Sequence, residues 1–571
     1  MSLVKNLGSS LLTTGILIAS LPSLATENTP SSETPPLATT ALVSPILLDS
    51  PRPNTPQLLQ LAQTSPARSS QIINQVQVSG STIFNNTTDF RFLTQPLEGK
   101  DFSLPETQRA AQEIVDKITQ LYLGRGFLTS RAILVTPFDP STGILQVRIL
   151  EGSVEKVTIE GLRRLNENYV RSRLGNTFTI PINTANIEDQ LRLLRSDPLI
   201  DNIEASLRGS SQSGQSELVI RVTEANSSYG SLTLDNYSPP SVGSERASLN
   251  VGNRNLTGAG DEGSLNYSRT LIGGAETLDL NYRLPINPQN GDLRVRASLS
   301  RNVVLQPPFD TFNIRGESQL YELSFRQPVI RTPQEELAFS VGLSYQSGQT
   351  FTFAGPTPFG IGPDANGNSR TTTLKLGQEY TLRDPGGAWN LRSQFGLGLG
   401  IFNATINSRP APDGRFLTWL GQLQRLQVLD ANNFLIIQAD LQLSPNSLLP
   451  AQQFVIGGGQ SIRGFRQNAR AGDNGFRVSV EDRLTLQTSE AGSPVLVLAP
   501  FIEGGWVWNN PSNPNVLGSQ NFLAGMGAGL IWQPFPKFSA RLDYGIPLVN
   551  LSDRGSNLQD SGFYFSLGYQ F

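Results

Sequence analysis

Phe563-Tyr564-Phe565-Ser566-Leu567-Gly568-Tyr569-Gln570-Phe571 ends the chain. Phe563, Phe565, Leu567, Tyr569 and Phe571 alternate with Tyr564, Ser566, Gly568 and Gln570. A strand points successive side chains to opposite faces, so this segment has one wholly apolar face and one mostly polar face. On a soluble protein the apolar face would cover a core. Here the segment ends a series of similar strands in a chain that opens on an export signal. Together these features predict lipid on one side and a wet lumen on the other.

Composition permits that reading and narrows the chemistry. With 571 residues the chain is too long for one ordinary compact domain. Charged residues make up 16%, below the roughly 25% of soluble domains. A helical membrane protein needs apolar runs of about 20 residues, and the mature chain has none. A transmembrane barrel needs only alternation, which an apolar content of 38% allows. A net charge of −3 gives no basic balance for nucleic acid. The chain has no Cys and no His. That excludes disulfides, thiolate zinc sites and cysteine nucleophiles, and it removes the commonest general base and metal ligand. No catalytic residue, metal site or cofactor is expected. A chain without thiols also suits an oxidising compartment.

The N-terminus has the pattern of a secretory signal over residues 1–25. Lys5 is its positive start, Leu11 to Leu21 its short apolar stretch, and Ser23-Leu24-Ala25 its small-x-small cleavage site. An uncleaved anchor helix is the alternative, but the run is short and interrupted. Residues 26–70 are rich in Pro, Ser and Thr and read as a linker. Leu58-Leu59-Gln60-Leu61 within it has room for a helical turn or two.

Two similar modules follow. Residues 71–152 predict a strand around Ile72, Val76 and Val78, a helix over Thr88–Leu97, a second helix over Leu104–Leu123, and strands over Phe127–Val135 and Ile144–Leu150. Ser103 is the expected N-cap of the second helix, with Pro105 in its first turn and Glu106 completing a capping-box spacing. Residues 153–225 repeat the order with strands over Val154–Ile159, Ile203–Leu207 and Leu218–Val222, and helices over Asn166–Leu174 and Ile187–Leu194.

From residue 226 to residue 571 the helical signals vanish. Leu278-Leu280-Tyr282-Leu284, Leu293-Val295-Ala297-Leu299 and Phe538-Ala540-Leu542-Tyr544-Ile546 each alternate with polar residues. Phe476, Val478 and Val480 stand opposite Arg477, Ser479, Glu481 and Arg483. A dry core would not tolerate those charges unpaired, whereas a water-filled bore would. At about 21 residues per strand and connection, the region holds about 16 antiparallel strands, within the range of outer-membrane barrels. An array of soluble β-sandwiches is the competing architecture.

Gly457-Gly458-Gly459-Gln460-Ser461-Ile462-Arg463-Gly464-Phe465 lies in a long connection between predicted strands. Long barrel loops are extracellular. From spacing alone, Arg463 is either a functional group or an idle solvated side chain.

Ile462-Arg463-Gly464-Phe465 resembles the (Val/Ile)-Arg-Gly-(Tyr/Phe) signature of the sixth loop in the superfamily of BamA-type insertases and two-partner secretion transporters. The resemblance implies that the loop folds back into the barrel and that its Arg pairs with an acid in a Phe/Gly-x-Asp-x-Gly motif. Phe501-Ile502-Glu503-Gly504-Gly505 matches that motif, except that Glu503 replaces Asp and lengthens the reach by one methylene. Phe501, Glu503 and Gly505 share one strand face, with the glycine leaving room for a loop. Asn255-Leu256-Thr257-Gly258-Ala259-Gly260-Asp261 is similar to an early barrel segment of the same superfamily. Leu567, Tyr569 and Phe571 resemble the terminal signal read by the barrel assembly machinery. The two modules are similar to POTRA domains, the periplasmic polypeptide-binding units of such proteins.

Two POTRA domains favour the transporter group (TpsB, or ShlB/FhaC/HecB) over an insertase of BamA type, which usually carries more. In that group an N-terminal plug helix is implied, and Pro56 to Gln63 is its candidate. The resemblance further implies ATP-independent export of a TpsA-type adhesin or haemolysin, and the expected state is a monomer in outer-membrane lipid. A passive porin with periplasmic appendages is a further alternative.

Overall fold

The computed structural model describes residues 71–571 other than 176, 177, 211 and 213. The expected signal peptide, linker and plug helix lie outside the described residues.

The first module is a three-stranded sheet covered by helix. Gln75–Ser79 runs parallel to Ile144–Leu150, which pairs antiparallel with Arg131–Leu134 on its other side. Helix Pro105–Leu123 lays Ala111, Ile114, Val115, Ile118 and Tyr122 on Val76, Val78, Leu145, Val147 and Ile149. This is the helical i, i+3, i+4 stripe meeting the inward face of an alternating strand. Two expectations need correction. Leu104, not Ser103, occupies the N-cap, and the Ser103 hydroxyl has no hydrogen-bond partner. Pro105 supplies the first helical residue, and its fixed φ sets the helix start one residue beyond the serine. The strand expected over Phe127–Val135 is only Arg131–Leu134, because the amide of Ser130 turns back onto the Phe127 carbonyl and Phe127 enters the core.

The second module repeats the order. Ser153–Glu160 and Ile200–Gly209 flank Gln215–Glu224. Helices Glu167–Leu174 and Thr184–Arg195 are capped by the side chains of Asn166 and Asn183, which accept from the backbone amides two residues on. Leu165, Val170, Leu174, Leu194, Leu218 and Ile220 form its core. The Glu224 carboxylate binds the amides of Arg163, Arg164 and Leu165 at 2.7–3.2 Å, tying the last strand to the approach of the first of these helices.

Residues beyond Asn226 form a closed antiparallel barrel of 16 strands, not a stack of sandwiches. Its first strand is Ser228–Asp235 and its last is Phe563–Gln570, each of 8 residues. Across the barrel, Arg315–Arg331 and Glu335–Thr352 reach 17 and 18 residues. The last strand turns Phe563, Leu567, Tyr569 and Phe571 outward and buries Tyr564 completely. Leu542, Tyr544 and Ile546 are exposed on the outside of Phe538–Pro547, while Arg541 and Asp543 point into the bore and bond one another. The opposite bore wall carries further pairs: Arg296 with Asp279, Arg326 with Glu336 and Glu379, and Lys375 with Glu322. Apolar outside and charged inside reverses the soluble pattern and fits a wall between lipid and water.

Burial pushes the Glu224 carboxyl up, but three backbone amides outweigh it and hold the group below its ordinary value of 4.5. A carboxylate with a depressed folded pKa contributes its stability fully above the unfolded value and loses it as pH falls through the folded one. Glu224→Ala is expected to cost the second module about 1–2 kcal/mol at pH 7 after allowing for solvent, and progressively less below pH ~4. Hydrogen exchange of the full chain in detergent at both pH values measures this.

Candidate functional site

The connection at residues 444–473 begins and ends near the barrel rim and is narrowed by a short ribbon, Phe454–Ile456 against Arg470–Gly472. The segment beyond that ribbon folds into the bore. Ile462 and Phe465 pack with Ile456, Val507 and Leu523 in a small buried core. This apolar footing fixes the loop, and Arg463 extends from it toward the wall.

Three strands meet Arg463. Its backbone amide donates to Glu503 Oε2 at 2.7 Å, and its Nε and Nη2 donate to Glu503 Oε1 at 3.0 and 2.5 Å. Nη1 donates to Glu481 Oε2 at 2.9 Å and to Asp543 Oδ1 at 3.0 Å. The guanidinium carbon sits 3.3 Å from the centre of the Phe501 ring. Arg541 bonds both Glu481 and Asp543, Arg483 bonds Glu481, and Ser479 donates to Glu503. Arg463, Arg483 and Arg541 thus meet Glu481, Glu503 and Asp543, so the cluster carries no net charge. The Arg463 side chain is 4% exposed, and those of Glu503 and Asp543 are 5% and 1% exposed. Burying such charges is costly, and removing one partner leaves the others uncompensated.

Glycines give the loop its floor. A Cβ on Gly525 would lie 2.0 Å from the Arg463 carbonyl oxygen, and one on Gly545 would lie 2.6 Å from the Gly464 nitrogen. One on Gly505 would meet Ile462 at 2.9 Å. Gly464 has φ +100°, a conformation in which its own Cβ would also strike Pro547. The last strand then clamps the backbone: Tyr564 Oη accepts from the Gly464 amide at 2.9 Å and donates to the Phe465 carbonyl at 2.5 Å. Arg466 bonds Asp560 at 2.8–3.0 Å, and Arg470 bonds Asp553.

The structure therefore brings together Ile462, Arg463, Gly464, Phe465, Phe501, Glu503 and Gly505. The extra methylene of Glu503 does not prevent a bond from each guanidinium edge nitrogen. Glu481, Asp543, Arg541, Tyr564, Gly525 and Gly545 complete the site and were not marked as loop partners in the sequence. Alternation already put Glu481, Asp543 and Tyr564 on inward faces, but nothing local tied them to a loop 18 to 100 residues away. Asp261 lies elsewhere, holding the Thr257 amide and hydroxyl and the Tyr282 hydroxyl in the turn before the third strand. Leu567, Tyr569 and Phe571 face outward, away from the loop. Among the described residues, no carboxylate cluster is arranged to hold a metal ion.

A closed barrel, an apolar exterior, a charged bore and a loop docked within it define an outer-membrane β-barrel transporter. The family described as haemolysin secretion/activation protein ShlB/FhaC/HecB matches residues 214–531, and the ShlB-type POTRA domain matches residues 72–152. The chain belongs to that family, whose work is outer-membrane transport in two-partner secretion. It is 24% identical over 420 residues to the outer membrane transporter CdiB of Dickeya dadantii (strain 3937), covering 71% of this chain and 72% of that one. The structure of CdiB from Escherichia coli superposes with a TM-score of 0.67 at 19% identity, over 90% of this chain and 93% of that chain. BamA from Haemophilus ducreyi lacking POTRA domains 1–3 reaches 0.53 at 15% identity, over 87% and 100%. These two likenesses concern the fold.

Arg463→Ala is expected to leave the barrel closed while releasing the loop, with about 3–5 kcal/mol of docking lost. Arg463→Lys should dock poorly as well, since one ammonium cannot reproduce the paired bonds to Glu503 and reach Glu481 and Asp543 together. Retained heat-modifiable migration on gels, with new protease cleavage inside residues 457–470, is the expected readout.

Proposed function

We propose that the chain binds one unfolded exoprotein in the periplasm and secretes it through its barrel without ATP. Its client is a TpsA-type adhesin or haemolysin. The observation that carries this reading is Arg463, held by carboxylates of three strands inside the bore. A passive pore has no need of such a loop. Arg463, Glu503 and Phe501 hold the loop in a transport-competent position, seated by Ile462, Gly464, Phe465 and Gly505.

The second module, residues 153–225, is a second POTRA domain, and both work in the periplasm as a monomeric receptor. Among the described residues, each sheet has unpaired outer edges, Gln75–Ser79 and Arg131–Leu134 in the first, Ser153–Glu160 and Ile200–Gly209 in the second. An extended client adds strands there through main-chain hydrogen bonds, a mode that tolerates varied sequences. The client then folds outside, and the folded product cannot return. Phe571, with Tyr569 and Leu567, is the signal by which the assembly machinery inserts the barrel into outer-membrane lipid.

Deleting the gene should remove one or two exoproteins from the medium and leave other outer-membrane proteins at normal abundance. Broad depletion of envelope barrels would favour an insertase instead. Arg463→Ala should leave barrel abundance nearly unchanged and cut client release at least about tenfold, as expected when more than ~1.4 kcal/mol of positioning is lost. Normal release would remove the assigned role. Phe571→Ala should lower the amount of assembled barrel, read by heat-modifiable migration, without changing release per assembled molecule.

A further inference from the structure

The loop seated by Arg463 has a second attachment on another part of the bore wall. Its rising limb turns at Pro450–Gln452, and Leu448 and Leu449 are fully buried just before that turn. The Gln452 side-chain amide donates to Gln346 Oε1 at 3.0 Å and to Thr371 Oγ1 at 3.2 Å. Those two residues are register partners on Glu335–Thr352 and Asn368–Asp384, on the face that carries Lys375 into the bore. The Gln452 carbonyl accepts from the side chain of Gln442 at 3.0 Å, on strand Asn433–Leu443. Gln452 thus joins walls separated by two whole strands, Gly387–Leu399 and Leu417–Val428. With Arg463 held by Glu481, Glu503 and Asp543, the loop crosses the bore between its two attachments. A polypeptide moving outward meets it.

The attachments differ in strength. Arg463 makes charge-assisted bonds in a buried ionic cluster, and taking it out would leave buried carboxylates uncompensated. Gln452 makes bonds between neutral groups, each roughly half as strong as a charge-assisted one. Water admitted to the bore replaces such bonds at small net cost. Leu449 adds apolar burial, but it lies against a loop: a Cβ on Gly362 would come within 2.9 Å of it. Gly362 is in turn bonded through its carbonyl to Asn407 of the next long loop, at 2.7 Å. The foot of the limb is fixed within its own connection, where the Leu448 amide donates to Asp473 Oδ1 at 2.9 Å. The limb can therefore swing about that foot with these loops. Beside Gln452 the wall is cut back as well. Gly342, Gly396 and Gly398 take bore-facing positions beside Ser344, Thr373 and Lys375. Glycine there leaves clearance, whereas the loop tip fills the wall around Glu503.

We propose that residues 448–452 are a strap across the outer mouth of the bore and that Gln452 is its catch. The client leaves along Glu335–Leu399 when the catch lets go of Gln346 and Thr371, while Arg463 stays seated as the fixed point. The inference rests on the transport reading above and makes Gln452 a positioning residue within it.

In planar lipid bilayers, Gln452→Ala should raise the open probability of the pore severalfold. Protease cleavage within residues 457–470 should stay as in the unmodified chain. Unchanged gating would overturn the catch, and new cleavage there would overturn the fixed point. The chain has no cysteine, so Gln452→Cys with Thr371→Cys gives a unique pair for a short bis-methanethiosulfonate bridge. With assembly checked by heat-modifiable migration, bridging should stop client release and dithiothreitol should restore it. Each single-cysteine variant, treated alike, should release normally. Release by the bridged chain at the unbridged rate would overturn the strap alone. Failure of the unmodified chain to return any exoprotein to the medium of the deletion strain would overturn the transport reading, and the strap's role with it.

Discussion

Within hydrocarbon, every backbone amide and carbonyl must be bonded inside the protein. That constraint forces Phe563–Gln570 onto Ser228–Asp235, the two ends of the barrel sequence. The join is the least extensive of the wall. It has five paired positions, Ser566 with Asp235 through Gln570 with Ser231. Side chains extend it: Asn236 bonds the Phe565 amide and the Phe563 carbonyl, and Gln559 reaches the carbonyls of Asn236 and Ser238. Gly230 and Phe571 exchange backbone bonds at the other end. Closure therefore depends on a few residues that bridge where the ladder is short.

The docked loop uses the same region. Tyr564 sits on the last strand and holds Gly464 and Phe465, while Gln559 binds the Gln467 amide as well as the carbonyls beyond the first strand. The charged cluster around Arg463 adds orientation more than net stability, because its desolvation cost offsets much of its Coulomb gain. Its three cations and three anions are balanced, so the loop introduces no uncompensated charge into the bore. The glycine floor shows the other half of the arrangement. Side chains are absent where the loop backbone approaches the wall, and charged side chains are present where the guanidinium reaches it.

Alternation and repetition were legible in the chain itself. Period-two patterning is local, so a strand such as Phe563–Gln570 declares its two faces without knowledge of its neighbours. The same holds for Ile114 and Ile118 on the helix and for the repeated order of the two modules, although the third expected apolar position, Leu121, is exposed and Tyr122 beside it is buried instead. The loop tetrapeptide and the Phe501–Gly505 motif were likewise readable, since each is contiguous. The Ser103 cap was misplaced because proline geometry, rather than side-chain capping, sets the start of that helix.

Partner choice was decided only in three dimensions. Glu481, Asp543 and Tyr564 reach one loop because strand register sets Glu481 against Phe501, Phe501 against Gly527, and Gly527 against Gly545. Register is the sum of many cross-strand pairings, and a slip of one residue would turn these side chains to lipid. The sequence by itself determined which residues face water and which face apolar surroundings, because that depends on local periodicity. The tertiary structure alone decided which inward charges meet Arg463, because that depends on closing the whole cylinder.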